Sequence, residues 1–151
     1  MKQAGENSNS LKMVFRNRPE NEKIVRTTAA VFASVLDPTL EEISDIKTAV
    51  SEAVTNCIVH GYEGREGKIS LKCELNDNEL TIEVHDDGVG IDDIERAMEP
   101  MYTSKPQLER SGMGFSFMEA FMDEVHVYSK EGEGTKVIMT KKMGEKNHLN
   151  G

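Results

Sequence analysis

The stretch Thr39-Leu-Glu-Glu42, continuing through Ser51-Glu-Ala-Val-Thr-Asn56 to His60-Gly61, decides how the chain is read. Thr39 followed by Glu42 has the form of a capping box, in which two side chains satisfy backbone donors that the first helical turn leaves open. Leu40, Ile43, Ile46, Ala49, Val50, Ala53, Val54, Cys57 and Ile58 then recur at helical spacing. The spacing predicts an amphipathic helix to about His60, with Gly61 as its stop. Glu52, Asn56 and His60 follow one another in steps of four and therefore share a row beside the apolar stripe.

Working outward toward the amino terminus, Asp37-Pro38 breaks the chain, and a helix from Pro19 to about Leu36 precedes the break. Before it, Leu11, Met13 and Phe15 alternate with polar or smaller residues, the period of a half-buried strand. Toward the carboxyl terminus, Ile69 to Leu75 and Leu80 to Val84 alternate around Asn76, Asp77 and Asn78, which reads as a hairpin. Ile91 to Met98 is a short amphipathic piece, and residues 99–113 form a polar lid containing Pro100 and Pro106. Phe115, Met118, Phe121 and Met122 predict a further helix, and Glu124–Ser129 with Thr135–Lys141 a second hairpin. The expected organisation is one domain over residues 11–141 between polar tails at 1–10 and 142–151. Its fold class is α+β: a two-layer sandwich with helices on one face of a mixed, mostly antiparallel sheet.

Composition bounds what such a domain does. Its 151 residues suit a single domain with a proper core. A net charge of −9 argues against a general nucleic-acid binder, so an anionic ligand must meet a local basic patch. No apolar run has the length of a membrane span, and the first residues lack the apolar stretch of a signal peptide, so a cytoplasmic protein is expected. Cys57 and Cys73 are too few for a disulfide framework and read as buried thiols, and the nine methionines as core filler.

Three short motifs carry chemistry. Glu52 and Asn56, side by side on a helix, make a hard-oxygen patch that suits Mg²⁺, although either alone reads equally well as a polar flank. Asp86-Asp-Gly-Val-Gly-Ile91 follows a strand directly. Its carboxylate can accept a hydrogen bond from an exocyclic amine, and Gly88 and Gly90 leave room for a flat ligand. Ser111-Gly-Met-Gly114 opens a helix just after Lys105 and Arg110, a seat for phosphates on unpaired N–H groups. No Walker-type motif occurs, and Asp93 stands where a Rossmann fingerprint needs its third glycine.

In this order, metal, base and phosphates, the motifs resemble the N, G1 and G2 boxes of the Bergerat (GHKL) fold shared by histidine kinases, gyrase, Hsp90 and MutL ATPases. Asp37-Pro-Thr39, Ser51–Asn56, His60-Gly-Tyr62 and Thr103-Ser-Lys-Pro-Gln-Leu-Glu-Arg-Ser-Gly-Met-Gly-Phe115 are similar, more narrowly, to the anti-sigma-factor serine kinases of spore-forming bacteria. The likeness runs from about Leu11 to Lys141. It implies an ATP- and ADP-binding protein-serine kinase with Mg²⁺ on Asn56, adenine on Asp86 with Thr135 assisting through water, and Gly88 and Gly90 against the base. Thr103, Ser104, Lys105, Arg110, Gly112, Met113 and Gly114 would wrap the phosphates, and Glu52 would be the general base. It also implies that Arg26 contacts partners: a sporulation sigma factor (sigma F), inhibited in the ATP-bound state, and an anti-anti-sigma protein phosphorylated on serine. A homodimer through the first strand is implied as well. The rival readings are a nucleotide-gated binding module without transferase activity, the anti-sigma kinase of the general stress response, and a detached histidine-kinase or ATPase domain.

Overall fold

The computed structural model describes residues 8–91 and 114–144. In chain order the elements are β1 (Asn9–Arg16), α1 (Glu20–Ala33), α2 (Leu40–Asn56), β2 (Lys68–Asn76), β3 (Glu79–Asp86), α3 (Gly114–Phe121), β4 (Glu124–Ser129) and β5 (Thr135–Lys142). Both terminal tails are thus shorter than expected. Asn9 and Ser10 belong to β1, Lys142 belongs to β5, and Met143 is buried in the core.

Helix α1 starts at Pro19, where a missing N–H costs nothing, and Glu20 and Glu22 sit in its first turn at the positive end of the dipole. A short 3₁₀ turn, Ser34–Leu36, carries the chain to Asp37, whose φ of 52° ends the helical path. Thr39 then caps α2. Its hydroxyl accepts from Glu42 N–H at 3.0 Å, and Glu42 Oε1 accepts from Thr39 N–H at 2.9 Å. The other oxygen of this buried carboxylate accepts from Gly144 N–H at 3.4 Å, so one side chain ties the start of α2 to the chain beyond β5.

The five strands lie in the order β1-β2-β3-β5-β4, and all four neighbouring pairs are antiparallel. The expected helices-on-sheet sandwich is thus present, with its sheet wholly antiparallel among the described strands. β3 and β4 do run in the same direction, but β5 returns between them, so no parallel ladder forms. The face bearing Ile69, Leu71 and Cys73, Leu80, Ile82 and Val84, and Val137 and Met139 is buried beneath the helices. Helix α2 covers it with Ile46, Ala49, Val50, Ala53 and Val54, and α3 adds Met118. Each such large side chain stabilises the fold by about 1.5–3 kcal/mol relative to exposure. Both cysteines are free and buried.

Two polar groups close the core at its far edge. The buried Lys141 donates from Nζ to Phe121 O at 2.7 Å, satisfying a carbonyl that the end of α3 leaves open, and its Nζ lies 3.7 Å from Asp45 of α2. At the other edge β1 is the expected half-buried strand, with Met13 and Phe15 packed onto the core, while Leu11 and, on the opposite face, Val14 are exposed.

Thr39→Ala removes an N-cap whose hydrogen bond is in place, which costs about 1 kcal/mol. For a domain of this size the melting temperature should fall by roughly 2–4 °C, measurable by calorimetry. An unchanged midpoint would show that the cap contributes nothing.

Candidate functional site

Asp86 is the last residue of β3 and sits at the end of the row Leu80, Ile82, Val84, where alternation would place another apolar side chain. It is 3% exposed. Its carboxylate accepts from Gly88 N–H at 2.9 Å and from the thiol of Cys57. Burial nevertheless raises its pKa above the ordinary carboxylate value, against the lowering effect of those two donors and of nearby His85. The Cys57 thiol is pushed far up as well, by burial first and by the Asp86 charge second, so it stays a donor.

Helix α2 does not end as a simple α-helix beyond Cys57, whose own N–H still bonds Ala53 O. Residues Cys57–Gly61 form a π-turn, whose i→i+5 bonding widens the helix. The helical path expected to about His60 does run to Gly61, but its last five residues are π rather than α, and the left-handed residues come after it, at Glu63 and Gly64. Gly61 packs closely on the strand end. A methyl group there would lie 3.1 Å from the Asp86 carboxyl carbon.

The glycines of the Asp86–Ile91 stretch also have intramolecular reasons. A methyl at Gly88 would lie 1.7 Å from Gly61 O, the oxygen that accepts from Val89 N–H at 2.7 Å. Gly90, at φ 77°, lies against the β4–β5 turn, where a methyl would approach Lys130 O to 2.1 Å, and Gly132 N–H donates to Val89 O at 2.7 Å. The loop after β3 is therefore clamped between the π-turn and the second hairpin.

Thr135 stands directly opposite Asp86 in the β3–β5 ladder and shares its face of the sheet. Its hydroxyl is 2.7 Å from that of Ser129, which also accepts from Ile91 N–H at 2.7 Å and donates to Gly134 O at 2.9 Å. With its one proton on Gly134 O, the Ser129 hydroxyl accepts the Thr135 proton, which leaves the Thr135 oxygen able to accept from a ligand or water. The residue pattern alone did not point to Ser129, or to Cys57 as a partner of Asp86, because their partners are distant in sequence.

Helices α1 and α2 leave between them a cleft of ≈ 510 Å³ lined by Arg26, Ser44, Lys47, Ser51 and Glu52 among others. Arg26 Nε lies 3.3 Å from Glu22 Oε2, an ion pair one helical turn apart. Glu52 and the expected partner-contacting Arg26 therefore share one surface. Asn56 is half-buried one turn beyond Glu52 on α2. Among the described residues no group of three or more His, Cys, Asp or Glu is gathered to cage a metal. An amide and a carboxylate on one helix fit a cation such as Mg²⁺, which takes few protein ligands and fills its shell with phosphate oxygens and water. Gly114 opens α3; Thr103, Ser104, Lys105, Arg110, Gly112 and Met113 lie outside the described residues.

The family model described as histidine kinase-like ATPase domain matches residues 15–141, which makes this a nucleotide-binding domain. The RsbU and RsbW domains of a Mycobacterium tuberculosis protein share the fold at a TM-score of 0.65, over 89% of this chain and 32% of that one, at 20% identity. The anti-sigma F factor of Clostridium acetobutylicum is 59% identical over 134 residues, covering 89% of this chain and 94% of the relative. That of Thermoanaerobacter sp. is 54% identical over 139 residues, 92% of this chain and 97% of the relative. The chain belongs to the anti-sigma F factor family of histidine kinase-like ATPases.

Asp86→Asn tests the site. Asparagine accepts Gly88 N–H through its carbonyl, which turns its NH₂ toward an incoming amine, donor against donor. Loss of a hydrogen bond to a charged group, about 1.5–3 kcal/mol, should weaken ATP binding on the order of 10–100-fold by calorimetry. Stability moves the other way. Because the folded-state pKa is raised, the native chain loses stability as the pH climbs from the ordinary carboxylate value through the folded one. The variant has no charge to bury, so its melting temperature should exceed that of the native chain at pH 7, by a margin that shrinks toward pH 4. A margin that grows on acidification would refute the assignment.

Proposed function

We propose that this chain is an ATP-dependent protein-serine kinase that also inhibits a sigma factor. In its ATP-bound state it holds a sporulation sigma factor, sigma F, and it phosphorylates a serine of an anti-anti-sigma protein. The observation that carries this reading is the convergence on Asp86: the strand-end carboxylate faces Thr135 on one side and, on the other, the turn that ends the helix bearing Glu52 and Asn56. Relatives of 54–59% identity that bear the name anti-sigma F factor support the partner and the regulatory role.

In this reading Asp86 takes the adenine amine, Thr135 assists through water, and Gly88 and Gly90 keep the loop low enough for the base to lie across it. Asn56 holds Mg²⁺, which when bound neutralises charge on the phosphates. Thr103, Ser104, Lys105, Arg110, Gly112, Met113 and Gly114 close on the phosphate chain. Glu52 orients the substrate serine and takes its proton as the serine oxygen bonds to the γ-phosphorus and the bond to the ADP oxygen breaks. Positioning and charge account for most of the acceleration in such transfers, and a placed base adds on the order of 10²–10⁴-fold.

The nucleotide selects the partner by binding the two states of the chain with different affinity. Arg26, on the same cleft as Glu52, contacts both proteins. A second copy pairs along β1, the edge strand of the sheet, where Leu11 and Val14 are exposed. None of the described helices is long and apolar enough to cross a membrane, and the proposed partners place the work in the cytoplasm.

Transfer of labelled γ-phosphate from ATP to an anti-anti-sigma protein is the direct test. The label should appear on serine, stable in acid and labile in base. An acid-labile product would indicate a histidine kinase, release of inorganic phosphate alone an ATPase, and no turnover a nucleotide-gated binding module. Glu52→Ala should keep ATP affinity while transfer falls on the order of 10²–10⁴-fold; equal losses of both would remove its role as base. Arg26→Ala should weaken capture of sigma factor and anti-anti-sigma protein in pull-down with ATP affinity unchanged, and undiminished capture would remove the contact.

A further inference from the structure

Tyr62 follows the π-turn directly and is 8% exposed, although its hydroxyl reaches the edge of the fold. That hydroxyl donates to Lys68 O at the start of β2 and accepts from Asp87 N–H at 2.9 Å. Its ring lies flat against Gly67, where a methyl group would come within 2.4 Å of the ring carbons. One oxygen thus joins the first residue of β2 to the first residue after β3, and it does so at the peptide unit that follows Asp86. With Val89 N–H on Gly61 O and Gly88 N–H on Asp86 Oδ1, it completes a set of bonds that leaves the 86–89 turn one position relative to α2.

We propose that Tyr62 is a positioning residue for base recognition: its hydroxyl fixes the Asp86–Asp87 peptide and thereby aims the Asp86 carboxylate at the amino group of the bound purine. The proposal rests on the ATP reading and adds a residue to it. The Asp86 carboxylate is held by Gly88 N–H of the loop and by the Cys57 thiol of the π-turn, and the peptide that leads from Asp86 into that loop is held at its N–H by Tyr62. Burial raises the phenol pKa further, so the proton given to Lys68 O stays in place across the working range.

Tyr62→Phe removes a single atom. Lys68 and Asp87 are both exposed residues, so their freed carbonyl and N–H can turn to water and the fold survives. The experiment compares binding of Mg-ATP with Mg-purine riboside triphosphate, which lacks the 6-amino group, in the native chain and in the variant. The native chain should prefer ATP by on the order of 10-fold or more. The variant should lose most of that preference through weaker ATP binding, with affinity for the purine analogue nearly unchanged and kcat for phosphoryl transfer at saturating ATP preserved.

A role confined to stability would weaken both ligands by one factor and leave their ratio alone, and that result overturns the proposal. Gly67→Ala supplies a second variant, since it displaces the ring while leaving the hydroxyl and Asp87 in the chain; it too should lower the ATP preference. An undiminished preference in both variants, against an intact preference in the native chain, overturns the role of Tyr62 alone. A native chain that binds ATP without preferring the amine, or does not bind it, overturns the role of Asp86 and this inference with it.

Discussion

A carboxylate buried at the end of an apolar row is the constraint around which the site is organised. Asp86 occupies a place where the alternation of β3 calls for a hydrophobic side chain, and an ionised group there is costly unless its oxygens are matched by donors. The surroundings supply them sparingly: one backbone N–H from Gly88 and one thiol from Cys57. The carboxyl remains less acidic than usual, so what is gained is direction and acceptor strength for a ligand rather than stability. Groups held at an energetic disadvantage in this way are common at binding sites.

That placement dictates the neighbourhood. Cys57 reaches Asp86 from the junction of α2 with the π-turn, a methyl at Gly88 would meet Gly61 O at 1.7 Å, and one at Gly61 would press on the Asp86 carboxyl carbon at 3.1 Å. The antiparallel return of β5 between β3 and β4 brings Thr135 opposite Asp86, and its turn clasps the loop at Gly90. Elements from three separate parts of the chain therefore meet at one strand end. The helix bearing Glu52 and Asn56 is anchored from its other end by Thr39 and Glu42, and Glu42 also reaches the chain after β5.

What the residue pattern made legible is what depends on near neighbours. The capping box at Thr39, the alternation of β2 and β3, the helix from Gly114 and both hairpins follow from period and turn chemistry, and all are present. The three motifs and their order also pointed to the family. Features set by distant partners were not legible. The π-turn carries no periodic signal in five residues, and Gly61 looked like a helix stop because nothing local reveals the carboxylate it packs against. Gly88 and Gly90 read as space for a ligand, whereas their immediate neighbours are the chain's own carbonyls. Tyr62 looked like the tail of a helix, and only the folded sheet places Lys68 and Asp87 on either side of its hydroxyl.

The widened end of α2 sets a count as well as a shape. Five residues span the interval between Asn56 and Tyr62, one more than a regular helical turn would use, and the surplus brings Gly61 under the strand end. Removing one residue would tidy the helix and rotate everything after it away from β3. Side chains in this interval can therefore be exchanged wherever size permits, whereas its length cannot drift, and sequence divergence across the family should be read there as substitution without insertion or deletion.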